Sequence, residues 1–142
     1  MTTTAVHVDC PPNLGLITLN GLGISSGYII PTIPDVLSTY GMDQILTCVS
    51  AFSESLGETI APVGIVISKF RSQSPTHCNA VRRLRQSATL PHVFSTVIKD
   101  SERIAASPEH RTVRELRQKY GYRGQYQAYR DLTREIVAAV RS

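Results

Sequence analysis

The sequence predicts an α/β fold: a parallel sheet flanked by helices. Three observations carry this. Val63–Ile67 is an unbroken apolar run of strand length, the pattern of a strand covered on both faces. Two longer stretches, starting at Asp35 and at Gln125, repeat their apolar residues every three or four positions, as amphipathic helices do. Strand-like and helix-like segments alternate along the chain, and such alternation joins parallel strands through crossover helices.

In chain order, Ala5–Asp9 reads as a short strand and Leu14–Ser25 as a helix rich in small residues. Tyr28–Ile33 is an apolar strand closed by Pro31 and Pro34. Asp35 is placed to cap the next helix, which bears Leu37, Tyr40, Ile45, Leu46, Val49, Phe52 and Leu56; the later spacings form one stripe. After the strand Val63–Ile67 comes a basic helix, Thr76–Arg85, and then a strand, Val93–Ile98. Pro108–Lys119 and Gln125–Val140 are predicted helices separated by Gly121 and Gly124. The last one is expected to gather Tyr126, Tyr129, Leu132, Ile136, Val137 and Val140 on one face.

A chain of 142 residues suffices for one domain with a buried core. No apolar run reaches the about 18 residues of a membrane span, and Met1–Thr4 lacks the basic start of a signal peptide. A cytoplasmic, non-membrane protein is the expectation. Cys10, Cys48 and Cys78 are odd in number and widely separated, which predicts reduced, mostly buried thiols. Charge is divided sharply. Residues 1–68 carry five acids and no Lys or Arg, for −5, while residues 69–142 carry all 15 basic residues and six acids, for +9. The basic half is either a polyanion-binding face or a solvated helical surface.

Asp9 closes an apolar segment, and ligands of open α/β sheets sit at the carboxyl ends of strands. By itself such an aspartate is equally a turn cap. The residues after it are more specific. Asp9-Cys10-Pro11-Pro12-Asn13-Leu14-Gly15 and the following Leu16-Ile17-Thr18-Leu19-Asn20-Gly21-Leu22 resemble the Walker B region of the ParA/MinD family of partition ATPases, typically I-D-C-P-P-S-L-G-L-L-T-L-N-A-L. Ile30–Pro34 resembles that family's I-P-V-Q-P strand end, with Gly41 and Gln44 in register in the helix beyond. Val63–Lys69 resembles its G-I-L-L-T strand, Phe94–Pro108 its block ending in R-L-S-E-A-P, and Tyr129–Val137 its closing helix.

The resemblance implies a P-loop NTPase fold of the SIMIBI type, of which residues 1–142 would be the C-terminal portion. It implies a role in plasmid or chromosome segregation, with ATP and Mg²⁺ as the family's cofactors. Asp9 would approach Mg²⁺ through water, and Ser68, Lys69 and Ile98 would lie beside the nucleotide. Where relatives have an Asn near the adenine, this chain has Ser68. Nonspecific DNA would be gripped by Arg82, Arg83, Arg85 and Arg103, since Arg offers phosphate a planar fork. A ParB-like protein, self-association and the nucleoid complete the implied setting. The phosphate loop G-x-x-x-x-G-K-[ST] does not occur, and no glycine here precedes a lysine. That loop supplies most of the donors to a triphosphate. The chain by itself is therefore expected to bind no nucleotide and to hydrolyse no ATP. In this fold the strand carrying that loop runs mid-sheet, so apolar edges are expected to lie open. The alternative is a non-enzymatic remnant that serves as a DNA-binding or dimerisation module.

Other chemistry finds little footing. His77-Cys78 begins like a cysteine phosphatase loop, but Leu84 stands where the arginine is needed. His7, His77, His92 and His110 lack metal spacing, and His7 is expected to be a partly buried structural residue. Tyr120-Gly121-Tyr122-Arg123 reads as an aromatic-packed turn.

Overall fold

The computed structural model describes residues 6–101 and 124–141. The predicted helix Pro108–Lys119, together with Arg103, His110 and Tyr120–Arg123, lies outside the described residues.

The strands are β1 (Gly27–Thr32), β2 (Ala61–Phe70) and β3 (Val93–Lys99). They are parallel and stand in the order β1-β2-β3. The helices are α1 (Leu16–Gly23), α2 (Val36–Leu56), α3 (Pro75–Gln86) and α4 (Gln125–Arg141). The α/β class and parallel sheet read from the sequence are therefore the architecture found. Strands in sequential order, joined by right-handed crossovers, place both crossover helices on one face. That face is one apolar cluster: Ile30, Ile65, Ile67 and Val93 from the sheet, Met42 from α2, Val81 and Leu84 from α3. Because side chains alternate along a strand, Val66, Phe94 and Ile98 point the other way and pack under Leu132 of α4. β2 is thus covered on both sides, and Gly64–Ile67 are all buried. A third cluster, Leu22, Val49 and Ile60, seats α1 against the later half of α2.

Local chemistry fixes the element ends. Asp35 Oδ1 accepts from the Ser38 N–H at 2.6 Å, the N-cap expected from the sequence. Gly57 ends α2 in the left-handed region at φ 69°, where a Cβ would be strained. Ser74 caps α3, with Pro75 in its first turn. Pro31, which has no N–H to give a ladder, sits in β1, an edge strand among the described residues.

Four expectations are corrected. The predicted strand Ala5–Asp9 is not one over its described residues: 6–14 carry no helix or strand. A strand needs a hydrogen-bonded neighbour, and this segment instead lies against α1. A Cβ at Gly21 would stand 2.8 Å from Cys10 Sγ and 3.4 Å from Val8 Cγ1, so the bare glycine lets the segment pack close. His7 is exposed rather than partly buried, for the same reason. Cys48 is exposed, while Cys10 and Cys78 are half-buried; all three are free. In α4, Val137 and Val140 face solvent. At about 100° per residue, the stripe Ala128, Leu132, Ile136, Ala139 leaves Val137 well around the helix. In α2, Leu37 and Tyr40, which precede the predicted stripe, are exposed, and the buried anchor the sequence reading missed is Met42.

Candidate functional site

The carboxyl ends of three parallel strands converge on one edge, where open α/β sheets bind ligands. β1 delivers Thr32–Asp35 there, β2 Ser68–Arg71, and β3 Lys99–Ser101. These ends are stitched together. Ser68 Oγ donates to the Thr32 carbonyl at 3.1 Å. The Asp100 N–H donates to the Phe70 carbonyl at 3.0 Å. Arg71 Nε donates to Asp100 Oδ2 at 2.7 Å in an exposed ion pair. The Arg71 N–H donates to His77 Nδ1 at 3.2 Å, and the His77 ring leans on Phe70 at 6.3 Å. The Asp35 carboxyl is held below the ordinary range by the hydrogen bonds it accepts from Ser38.

One residue on this edge is strained. Lys69 has φ 48°, the sole positive φ outside glycine among the described residues. Left-handed backbone costs a residue with a Cβ about 1–2 kcal/mol. It falls where β2 and β3 lose step, between the pairs Ile67–Val97 and Phe70–Lys99. Bulges of this kind re-aim a side chain at the end of a strand.

Of the residues singled out in the sequence, Ser68 and Lys69 are adjacent on this edge. Ile98 is buried under α4, so it offers the edge only its backbone. Asp9 is exposed on the lead-in to α1, a segment tied down by Thr18 Oγ1 donating to the Pro11 carbonyl at 3.2 Å. Arg82 and Arg83 are exposed on α3. Arg85 is exposed too, but its Nη2 donates to the carbonyls of Ser95 (2.9 Å) and Phe94 (3.4 Å) on β3. The sequence reading gave no role to Arg71 or Asp100 and weighed His77 only for phosphatase and metal chemistry; the link between the three spans loops and is invisible in local spacing. A shallow cleft of about 230 Å³, lined by Leu84, Arg85, Pro91 and His92, lies at the opposite, amino end of β3.

A nucleotide-bound Mg²⁺ would need several oxygen ligands. Among the described residues no group of three or more His, Cys, Asp or Glu could hold a metal. Asp9 alone does not make such a site.

A family model described as "AAA domain" matches residues 4–61, the span from the Asp9 segment through α2 to the start of β2. The sporulation initiation inhibitor protein Soj of Bacillus subtilis is 26% identical over 105 residues, covering 74% of this chain and 41% of that protein. The chromosome partitioning protein ParA of Myxococcus xanthus is 26% identical over 103 residues, 72% of this chain and 36% of that protein. Over about three quarters of its length the chain is similar to the ParA/Soj partition ATPases. The chromosome-partitioning ATPase Soj of Treponema pallidum gives a like match, 25% over 105 residues. The chain spans about two fifths of the length of these relatives. No described helix is long and apolar enough to cross a membrane.

Proposed function

We propose that these 142 residues form the C-terminal part of a partition ATPase domain acting in plasmid or chromosome segregation, and that their share of the work is the carboxyl edge and the basic helix α3. The observation that carries this is the edge itself. The strained Lys69 stands beside Ser68 at the carboxyl end of the central strand, where a base or phosphate would lie. The Lys69 side chain is exposed and fills no core, so it is available to a ligand at this edge.

In this reading Asp9 is one ligand of a composite site, and the phosphate-binding donors are not among these residues. The chain by itself binds no ATP·Mg²⁺ at micromolar levels. Calorimetric titration checks this: no saturable heat is expected, and a Mg²⁺-dependent site abolished by Asp9→Ala would overturn it. The exposed Arg82 and Arg83, with Arg103, are the proposed contacts to duplex DNA. Arg85 joins them only through the guanidinium nitrogens that β3 leaves free. A ParB-like protein is the partner that the relatives' role suggests, and the nucleoid the location.

A second reading, a non-enzymatic DNA-binding or dimerisation module, draws on the charge division alone. Salt-dependent DNA binding without any nucleotide response, in the chain supplied with an N-terminal half from a relative, would favour it.

A further inference from the structure

β3 does not run in step with β2. The pairs Ile65–Val93 and Ile67–Val97 show two residues of β2 facing four of β3. The surplus lies at Phe94–Thr96, whose backbone groups cannot all find ladder partners. Backbone groups that leave the ladder take other partners, and here side chains from two helices supply them to buried Phe94, exposed Ser95 and half-buried Thr96. Glu135 of α4 accepts from the Ser95 N–H at 2.6 Å and from the Thr96 N–H at 2.9 Å, and also from the Thr96 hydroxyl. Arg85 of α3 donates to the Phe94 and Ser95 carbonyls. Because α3 and α4 pack on opposite faces of the sheet, the bulge is gripped from both sides. Burial pushes the Glu135 carboxyl up, but the Thr96 and Ser95 hydrogen bonds and the nearby His92 charge outweigh it and hold it below the ordinary range.

The mismatch is then partly undone further along. From Ile67–Val97 to Phe70–Lys99, three residues of β2 face two of β3, and this is where Lys69 turns left-handed. The two irregularities are consecutive on the same strand pair. The offset created at Phe94–Thr96 must be absorbed before Asp100 can donate to the Phe70 carbonyl and hold Arg71. α4 runs back along β3, since Gln125 at its start donates to Ser101 Oγ at 2.7 Å and Glu135 reaches Ser95.

We propose that Glu135 and Arg85 form a two-sided clip on the β3 bulge, and that the clip couples the seating of α4 to the backbone at Lys69 and Asp100. The carboxyl edge is then set from a helix whose clip residue lies midway along β3. Anything that lifts α4 relaxes Lys69 and loosens the Arg71–Asp100 pair. This inference does not depend on which ligand the edge binds.

Amide hydrogen exchange followed residue by residue in the full chain tests it. In Glu135→Gln, one acceptor oxygen becomes a donor facing a donor. Exchange at Ser95 and Thr96 is expected to rise at least tenfold and at Asp100 at least threefold, with a shift in the Lys69 backbone resonances. Ile65 and Ile67 should keep their wild-type rates. Thr96→Val, which removes only the hydroxyl, should give the same order with smaller changes, and it carries the test if Glu135→Gln does not fold. Unchanged Ser95 and Thr96 would overturn the clip. Faster Ser95 and Thr96 with unaltered Asp100 and Lys69 would overturn the coupling. A uniform rise that includes Ile65 would mean simple unfolding and would overturn it as well.

Discussion

The two outer strands of this sheet are finished differently. On β3 the backbone that leaves the ladder is taken up by Glu135 and Arg85, and α4 covers the apolar face beside it. β1 pairs only with β2 among the described residues, and its neighbours in sequence expose apolar side chains. Leu16, Ile17 and Ile24 of the α1 region and Leu37 and Tyr40 of α2 are all more than 70% exposed. A soluble domain blunts a free strand edge with charge or cover, and the β1 side has neither Lys nor Arg within residues 1–68. The contrast teaches that, among the described residues, the sheet is covered on the β3 side and open on the β1 side.

The comparison is broken or sharpened most by Phe94→Ala. Phe94 is 1% exposed and meets His92 edge-on at 5.6 Å. Its loss should cost about 3–5 kcal/mol, read from urea denaturation; a cost under about 1 kcal/mol would show that the β3 side is not the firm half. Next in size is association. The open side should make the chain self-associate, and the double change Ile17→Glu, Leu37→Glu should shift it to monomer in sedimentation equilibrium. A wild-type chain already monomeric at high concentration would contradict the contrast.

Smaller effects come from the caps. Asp35→Ala should cost about 1 kcal/mol. The folded carboxyls of Asp35 and Glu135 both lie below their unfolded values. The unfolded chain therefore takes up protons first as pH falls. The stability they give is complete above the unfolded values of about 4 and is lost as pH drops through the folded ones. Thermal melts from pH 6 to pH 3 should show this, with a flatter acid limb when Asp35→Ala and Glu135→Gln are combined. Smallest in stability terms is Arg82→Ala with Arg83→Ala, within about 0.5 kcal/mol. Its effect should appear instead in fluorescence anisotropy with duplex DNA, as a salt slope reduced by roughly one unit per lost contact. An unchanged slope would assign both residues to a solvated surface.

Much of the fold was legible because it is local. The run Val63–Ile67 announces a doubly covered strand, and Asp35 marks the start of α2 by cap chemistry. What was not legible depends on partners far along the chain. The β3 bulge is set by Glu135, about forty residues on, and nothing in Val93–Ile98 marks it. Ala5–Asp9 has strand composition, but composition does not supply a neighbour. At the candidate site, Ser68 and Lys69 were found through a family pattern, whereas the strain at Lys69 and the Arg71–Asp100 link needed coordinates.

Gly64 and Phe94 make a lasting consequence of the packing under α4. A Cβ at Gly64 would fall 2.8 Å from the Phe94 ring, so the missing side chain at one position is the space for the ring at the other. The two residues behave as one choice with two letters. Random variation of either alone should be rejected, and because the His92 carbonyl oxygen also stands 3.0 Å from that Cβ, a library that varies both should return only a small residue at 64 with a slimmer one at 94. Divergence at this point in the chain has to move two steps at a time.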